Sequence, residues 1–417
     1  MRPTTLAQWL NRIESCHPEE IELGLERVGE VAGRLDLPGT CTVTVAGTNG
    51  KGSVVAFLEA MLGAAGYRVA AYTSPHLLAF NERVRLGGVP VDDAALCAAF
   101  ARVEAARGAV PLTYFEYATL AALCVFADDA PDVRLLEVGL GGRLDAVNIV
   151  DADLAVVTPV DLDHAAWLGD DRETIGREKA GILRPGRPAI SADPDPPASL
   201  VGVAAALGAP LHVAGRDYDF RVDAHGWRWS APGRVRTSLP RPALFGRHQF
   251  ANAAAALMAL HLLAERFPVG QDAVRRGLLE ARLPGRFEVH PGPVETILDV
   301  AHNPHGTRAL AESLAARPTR GRTLAVVAMR DDKAVEAALA PLVDGVTAWY
   351  LAPLPAPGGA DPVRLAGALE AYGATPARLA SVAEALRSAH ADAAEGDRVV
   401  VFGSFHTVAA ALRAGWA

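Results

Sequence analysis

The chain has 417 residues, more than one ordinary core accommodates, so two domains are expected. Half of it is hydrophobic and 21% is charged, the mix of a soluble globular protein, and 40 basic against 48 acidic residues leave a net charge of −8. That balance argues against a nucleic-acid surface, which needs clustered cations, but leaves room for a small anion held locally.

The N-terminal stretch MRPTTLAQWLNRIES carries charges where a signal peptide has its apolar run. TVTVAG (42–47), SVVAFLEAMLGAAG (53–66) and YRVAAYTS (67–74) then read as strand, helix and strand, with a loop between Val45 and Ser53 at the carboxyl end of the first strand. YATLAALCVFA (117–127) is an apolar run well short of the roughly 20 residues that span a bilayer, so no membrane partner is expected. VRLLEVG (133–139), DLAVVTPV (153–160) and PAISA (188–192) are further strands, and alternation with helical segments implies a mostly parallel α/β sheet. PDPPASL (194–200) is a loop, and residues 218–240 alternate apolar and polar side chains as antiparallel strands do. After the Ala-rich helix FANAAAALMALHLLAERF, proline and glycine become dense, which places a domain boundary at Pro284 and Gly285, giving domains 1–284 and 285–417. In the second domain ETILDVAHN, RTLAVVAM, VTAWYLAPL and DRVVVFGSF read as strands of a smaller α/β unit. Cys16, Cys41, Cys97 and Cys124 are far apart with no CxxC pair, which suggests neither a zinc knuckle nor a disulfide framework and fits reduced thiols in the cytoplasm.

VTVAGTNGKGSV (43–54) has the makings of a phosphate-binding loop. Glycines let backbone N–H groups turn inward, the helix N-terminus adds positive potential, and Lys51 is placed to neutralise phosphate oxygens. The spacing departs from GxxxxGK[ST], because Gly47 is three residues before Gly50 and Gly52 separates Lys51 from Ser53. Glu137, at the end of an apolar strand, reads either as an edge ion pair or as a Mg²⁺ ligand, the latter because a triphosphate needs a hard cation held by oxygen. The GLGGRL that follows has Leu144 where a dinucleotide fingerprint needs glycine. His164, just after Asp161 and Asp163 at a third strand end, is a candidate metal ligand or a loop histidine, and Lys179 lies in a helix.

Together these motifs resemble the folylpolyglutamate synthase family, including its bifunctional dihydrofolate synthase members, within the Mur ligase superfamily. The matching stretches are GTNGKGS (47–53), TSPHL (73–77), NERV (81–84), TYFEYATLAAL (113–123), EVGLGGRLDAVN (137–148), DHAAWLG (163–169), REKAGIL (177–183), HQFANAAAA (248–256), PGRFE (284–288), DVAHNP (299–304) and GSFHTV (403–408). They keep family order across nearly the whole chain. The resemblance implies a P-loop-containing, Mur-ligase-like N-terminal domain with a mostly parallel sheet and a smaller α/β C-terminal domain. It implies that Asn49, Gly50, Lys51, Gly52 and Ser53 hold ATP phosphates, with Asn252, Arg286, Asp299 and His302 also on the nucleotide. Ser53, Ser74, Glu137 and His164 would hold Mg²⁺, Lys179 would be the lysine that the family carbamylates, and Lys51, Lys179 and His164 would be catalytic. Thr113, Tyr114, Phe115 and Glu116 with Leu144, Asp145 and Ala146 would bind the pterin, Asp145 reading its ring.

The implied reaction is ATP-dependent joining of L-glutamate to 7,8-dihydropteroate and to reduced folates through an acyl phosphate, by a cytoplasmic monomer. A monofunctional folylpolyglutamate synthase and a Mur-type amino-acid ligase are the alternatives. One departure is that the family often has an arginine soon after the strand that here reads AWYLAPLPAPGGADP (348–362), where this chain has glycines.

Overall fold

A computed structural model describes residues 3–19, 21–354 and 358–415. Part of the glycine-bearing loop, residues 355–357, therefore lies outside the described residues. The chain divides into two compact units, residues 1–243 with 251–281, and residues 244–250 with 282–417. The segment 244–250 precedes the boundary expected at Pro284 and Gly285. It clusters with the second unit, where Phe245 stacks on Phe287 with centroids 4.6 Å apart.

The first unit opens with helices α1 (Leu6–Glu14) and α2 (Glu26–Ala32). Strand β1 (Cys41–Ala46) is buried along its whole length, as a strand covered on both faces must be, and it runs into the phosphate-type loop and α3 (Lys51–Ala64). Next come β2 (Val69–Tyr72), β3 (Val84–Leu86), β4 (Val89–Pro90), α4 (Asp93–Arg107), α5 (Tyr114–Asp129), β5 (Val133–Glu137) and β6 (Leu154–Val157). The unit's sheet closes with α6 (Ala165–Leu168), α7 (Arg172–Ala180), β7 (Ala189–Ser191), α8 (Ala198–Leu207) and β8 (Leu211–Val213). Sheet order is β4-β3-β2-β5-β1-β6-β7-β8, antiparallel only where β3 and β4 form the edge. The mostly parallel sheet expected from the alternating pattern is therefore present, with β1 between β5 and β6. The loops carrying the phosphate motif, Glu137 and His164 thus leave the same edge of three adjacent strands. This crevice is where open α/β sheets bind ligands.

Helix α5 is nearly all apolar and lies in the core with Trp9, Tyr72, Phe80, Phe100 and Tyr117. The alternating run 218–240 forms β9 (Asp219–Asp223), β10 (Gly226–Ala231) and β11 (Arg234–Leu239), an antiparallel sheet. Trp227 and Trp229 are buried beneath it, their indole N–H groups donating to Pro240 O (2.7 Å) and Ala254 O (3.1 Å). The Ala-rich helix α9 (Arg247–Leu262) and α10 (Gln271–Glu280) follow.

In the second unit, β12 (Glu288–His290), β13 (Glu295–Leu298), α11 (Pro304–Ala316), β14 (Thr323–Val327), α12 (Val335–Leu339), β15 (Ala348–Leu351), α13 (Pro362–Glu370), β16 (Ala377–Arg378), α14 (Val382–Asp392), β17 (Arg398–Phe402) and α15 (Phe405–Arg413) build a sheet of order β12-β13-β17-β14-β15-β16. Its own core gathers Ile297, Leu342, Trp349, Leu351 and Phe402. Strands β3, β4, β8, β12 and β16 were not expected; each is two or three residues long, too short to print a period. Among the described residues, no helix is long and apolar enough to cross a membrane.

Candidate active site

The loop after β1 turns on Gly47, whose φ is +141°. A side chain there would come within 1.8 Å of the Thr158 hydroxyl, so only glycine fits against β6. Helix α3 starts at Lys51, directing its free N–H groups at the loop as an anion site requires. Lys51 folds back and donates from Nζ to Gly47 O (3.1 Å) and Thr48 O (3.3 Å). The Thr48 hydroxyl donates to Asp161 O (2.9 Å) and accepts from Asp161 N–H (3.0 Å), tying the phosphate loop to the loop that carries His164. Asn252, buried on α9, abuts the backbone of Gly50; a Cβ on that glycine would lie 2.6 Å from its side-chain oxygen. Asn49, Gly52 and Ser53 complete the turn, with Ser53 buried in the first turn of α3.

Glu137 ends β5 in register with Val45, two residues before Gly47. It is buried, and its Oε2 accepts the Ser74 N–H at 3.2 Å. His164 adopts a left-handed backbone (φ +53°) and its ring is exposed, 4.0 Å from the Asp163 carboxylate. A non-glycine residue held in that conformation is a form of strain concentrated at ligand sites. Among the described residues, no three His, Cys, Asp or Glu converge as a metal cage. A carboxylate such as Glu137 and serine hydroxyls are oxygen ligands of the kind Mg²⁺ takes, a cation that binds few protein groups and keeps waters or substrate phosphate oxygens.

Lys179 is buried on α7, and its Nζ donates to the same Gly47 carbonyl as Lys51, at 3.0 Å. Burial, with the nearby Lys51 charge, pulls its pKa down to about 7 against the opposing pull of Asp163 and Asp145. Asp145 is buried as well, and burial pushes its pKa up to about 6. Its two oxygens accept N–H groups from Leu140 (2.8 Å) and Val147 (3.0 Å), which limits that rise.

The residues expected at the pterin divide by role. Thr113 and Glu116 form a reciprocal capping box on α5, and the Glu116 carboxylate also meets Arg27 at 3.2 Å. Tyr114 and Phe115 are only partly buried: Phe115 lies 5.9 Å from the Tyr72 ring and directly against Gly139. Leu144 O accepts the Gly24 N–H (3.3 Å), and Ala146 opens a buried 3-10 turn.

In the second unit, the half-buried Asp299 follows β13 and accepts N–H groups from Phe287 (2.8 Å) and Ala301 (2.7 Å); desolvation raises its pKa. Arg286 lies over the Phe405 ring at 4.9 Å, and His302, 6.5 Å from that ring, is held by Val300 O.

Arg83 was missed by the sequence reading except as part of a motif. It is buried, sits 5.5 Å from both the Phe80 and Tyr114 rings, and donates from Nε to His76 Nδ1 (2.8 Å). Among the described residues it has no carboxylate partner. The available signal was a charge between the apolar Phe80 and Val84, seven residues after the histidine of SPHL.

Comparison with known proteins agrees with this geometry. The Mur ligase, glutamate ligase domain family matches residues 285–405. The dihydrofolate synthase/folylpolyglutamate synthase of Escherichia coli K12 is 48% identical over 406 residues, 97% of this chain and 94% of that one. The solved E. coli FolC in complex with DHPP and ADP superposes with a TM-score of 0.94 at 46% identity, covering 99% of this chain and 98% of that one. A bifunctional folylpolyglutamate synthase/dihydrofolate synthase with Mn, AMPPNP and L-glutamate bound gives 0.93 at 47% identity, covering both chains in full.

Proposed function

The chain belongs to the dihydrofolate synthase/folylpolyglutamate synthase family, and from that membership we infer how its residues run an ATP-dependent ligation. The reaction joins L-glutamate to 7,8-dihydropteroate and adds further glutamates to reduced folates, with ATP as co-substrate and Mg²⁺ as its metal. The observation that carries the reading is the convergence of Lys51 and the buried Lys179 on the Gly47 carbonyl, beside Glu137 at the same sheet edge.

Asn49, Gly50, Lys51, Gly52 and Ser53 cradle the phosphates, and Asn252 supports the loop from α9. Ser53, Ser74, Glu137 and His164 would hold Mg²⁺, which would neutralise phosphate charge as it develops. The pteroate carboxylate attacks the γ-phosphorus and ADP leaves. The glutamate amine then attacks the acyl carbon of the resulting acyl phosphate, the C–O bond to phosphate breaks, and the amine gives up its proton to solvent. Lys51 stabilises charge on the transferring group, so catalysis is chiefly positioning and electrostatics. Lys179, whose lowered pKa leaves a substantial share of the amine neutral near pH 7, adds to CO₂ with loss of a proton and becomes an anionic carbamate. Asp145, Leu144 and Ala146 with Tyr114 and Phe115 seat the pterin; Thr113 and Glu116 shape that wall as the cap of α5. Arg83, a buried cation with no carboxylate partner among the described residues, receives an acidic group of the substrate. Arg286, Asp299 and His302 contribute to the nucleotide from the second unit. Free thiols at all four cysteines fit a cytoplasmic location, and the working form is a monomer, which light scattering after size exclusion checks.

The test is glutamate-dependent ADP release with Mg²⁺-ATP, supplying dihydropteroate in one reaction and a reduced folate in another. Release with both is expected, and Asp145→Asn should raise the KM for dihydropteroate about tenfold, as loss of a charged hydrogen-bond partner does. Release with one acceptor alone identifies a monofunctional enzyme; silence with both moves the assignment to another amino-acid ligase.

A further inference from the structure

The first residues of β1, β5 and β6 lie at the sheet edge opposite the phosphate loop, and a second polar centre is built there. Thr42 of β1 is in register with Arg134 of β5. Asp153, just before β6, donates its N–H to Thr42 O (2.9 Å) and accepts the Thr42 N–H on Oδ2 (2.9 Å). The Thr42 hydroxyl donates to Thr40 O (2.8 Å) and accepts from Arg134 Nε (2.6 Å), which fixes the direction of the guanidinium. Arg134 is only 7% exposed, yet among the described residues its two terminal nitrogens have neither a hydrogen-bond acceptor nor a carboxylate. It lines a cavity of about 410 Å³ with Cys41, Asp151, Asp153, Arg187 and Arg266.

Charge in this cavity is unbalanced toward the cation. Arg187 and Arg266 both reach the same Oδ1 of Asp153, at 3.5 and 3.2 Å, while Asp151 is engaged by Arg184. Two guanidiniums thus share one oxygen of a carboxylate whose other oxygen is taken by the Thr42 N–H, and Arg134 adds a third positive charge to the same lining. The second unit carries the same device in a closed form. Arg398 opens β17 in register with Thr323 and donates from Nε to its hydroxyl (2.8 Å), but there Nη1 is taken up by the carbonyls of Leu314 (3.0 Å) and Arg317. Under Arg134 no carbonyl arrives, and the cavity takes that place. Arg134 lines the cavity, and a planar guanidinium matches the oxygens of an anion.

We propose that this cavity binds a phosphate group, with Arg134 as the fixed donor and the exposed Arg187 and Arg266 as a clamp. The length of β1, about 20 Å, separates it from the phosphate loop. A cavity of this size accepts inorganic phosphate or the phosphate of a small monoester, and binding bridges β1, β5 and β6, the strands that carry the active-site loops.

The test uses the full chain with its phosphate loop filled by Mg²⁺-AMPPNP, titrated calorimetrically with inorganic phosphate and separately with glycerol 3-phosphate at constant ionic strength. Saturable binding of either is expected, and the tighter of the two names the source. Arg187→Gln/Arg266→Gln, at two exposed side chains, should weaken it about tenfold or more while ADP release without added phosphate stays near wild type. Absence of saturable binding by both anions, or unchanged affinity in the double variant, overturns the proposal.

Discussion

Burial leaves Lys179 with an unusual proton balance. Its amine titrates near pH 7 in the folded chain, whereas an exposed lysine does so at 10.5, so between those values the unfolded chain holds a proton that the folded chain lacks. Stability therefore rises with pH across that window and is lowest below it, with a slope of at most about 1.4 kcal/mol per pH unit. Lys179→Met removes the titration and keeps the volume. Its stability relative to wild type should be greatest near pH 7 and shrink steadily toward pH 10, read by urea unfolding in CO₂-free buffer. The lost hydrogen bond to Gly47 O adds only a constant offset. Parallel stability curves would show that the amine is not desolvated as described. The same variant should lose glutamate-dependent ADP release, because a methionine cannot form a carbamate.

Helix α7 positions that lysine, and it does so by lying unusually close to the loop after β5. Arg143 N–H donates to Glu178 O (2.8 Å), and the Asn148 amide bridges the carbonyls of Arg143 and Gly181, each at 3.0 Å. A Cβ on Gly181 would lie 2.3 Å from the Arg143 Cβ, a backbone-level clash that no rotamer relieves. Gly181→Ala should push the end of α7 away, lower kcat for both acceptors by tenfold or more, as small misplacements at a reacting centre do, and destabilise the first unit by about 1–3 kcal/mol. Unchanged kcat with intact folding would mean that α7 does not set the position of Lys179. Such closeness explains which parts of this site were legible in the sequence. The strand, glycine loop and helix of residues 42–66 are contiguous, so local pattern sufficed for β1, the loop and α3. Glu137 stood out as a charge ending an apolar run. The Thr48–Asp161 link, the Lys179–Gly47 contact and the Arg83–His76 pair depend on sheet order or on a fold-back that periodicity does not encode. Glu116 carried the spacing of a capping box, T-x-x-E, and that local signal describes its bonds with Thr113 but not the one from Arg27. The mostly parallel sheet followed from alternation of strand and helix, whereas the insertion of β1 between β5 and β6 did not.

At the scale of the molecule, each unit has its own sheet and its own apolar core, so each has the material for separate cooperative unfolding. The segment 244–250 and Phe287 belong to the second unit, and proline and glycine near residue 284 marked only one of the three places where the chain passes between units. Phe402 tests the separation. It is fully buried at the end of β17, with its ring 6.4 Å from Trp349 in an edge-on arrangement. Phe402→Ala removes about 3–5 kcal/mol from that core. Without nucleotide, hydrogen exchange followed by mass spectrometry should show protection in β13, β14 and β17 falling about a hundredfold or more, with β1, β5 and β6 unchanged. An equal fall in both sets of strands would mean that the two cores unfold as one.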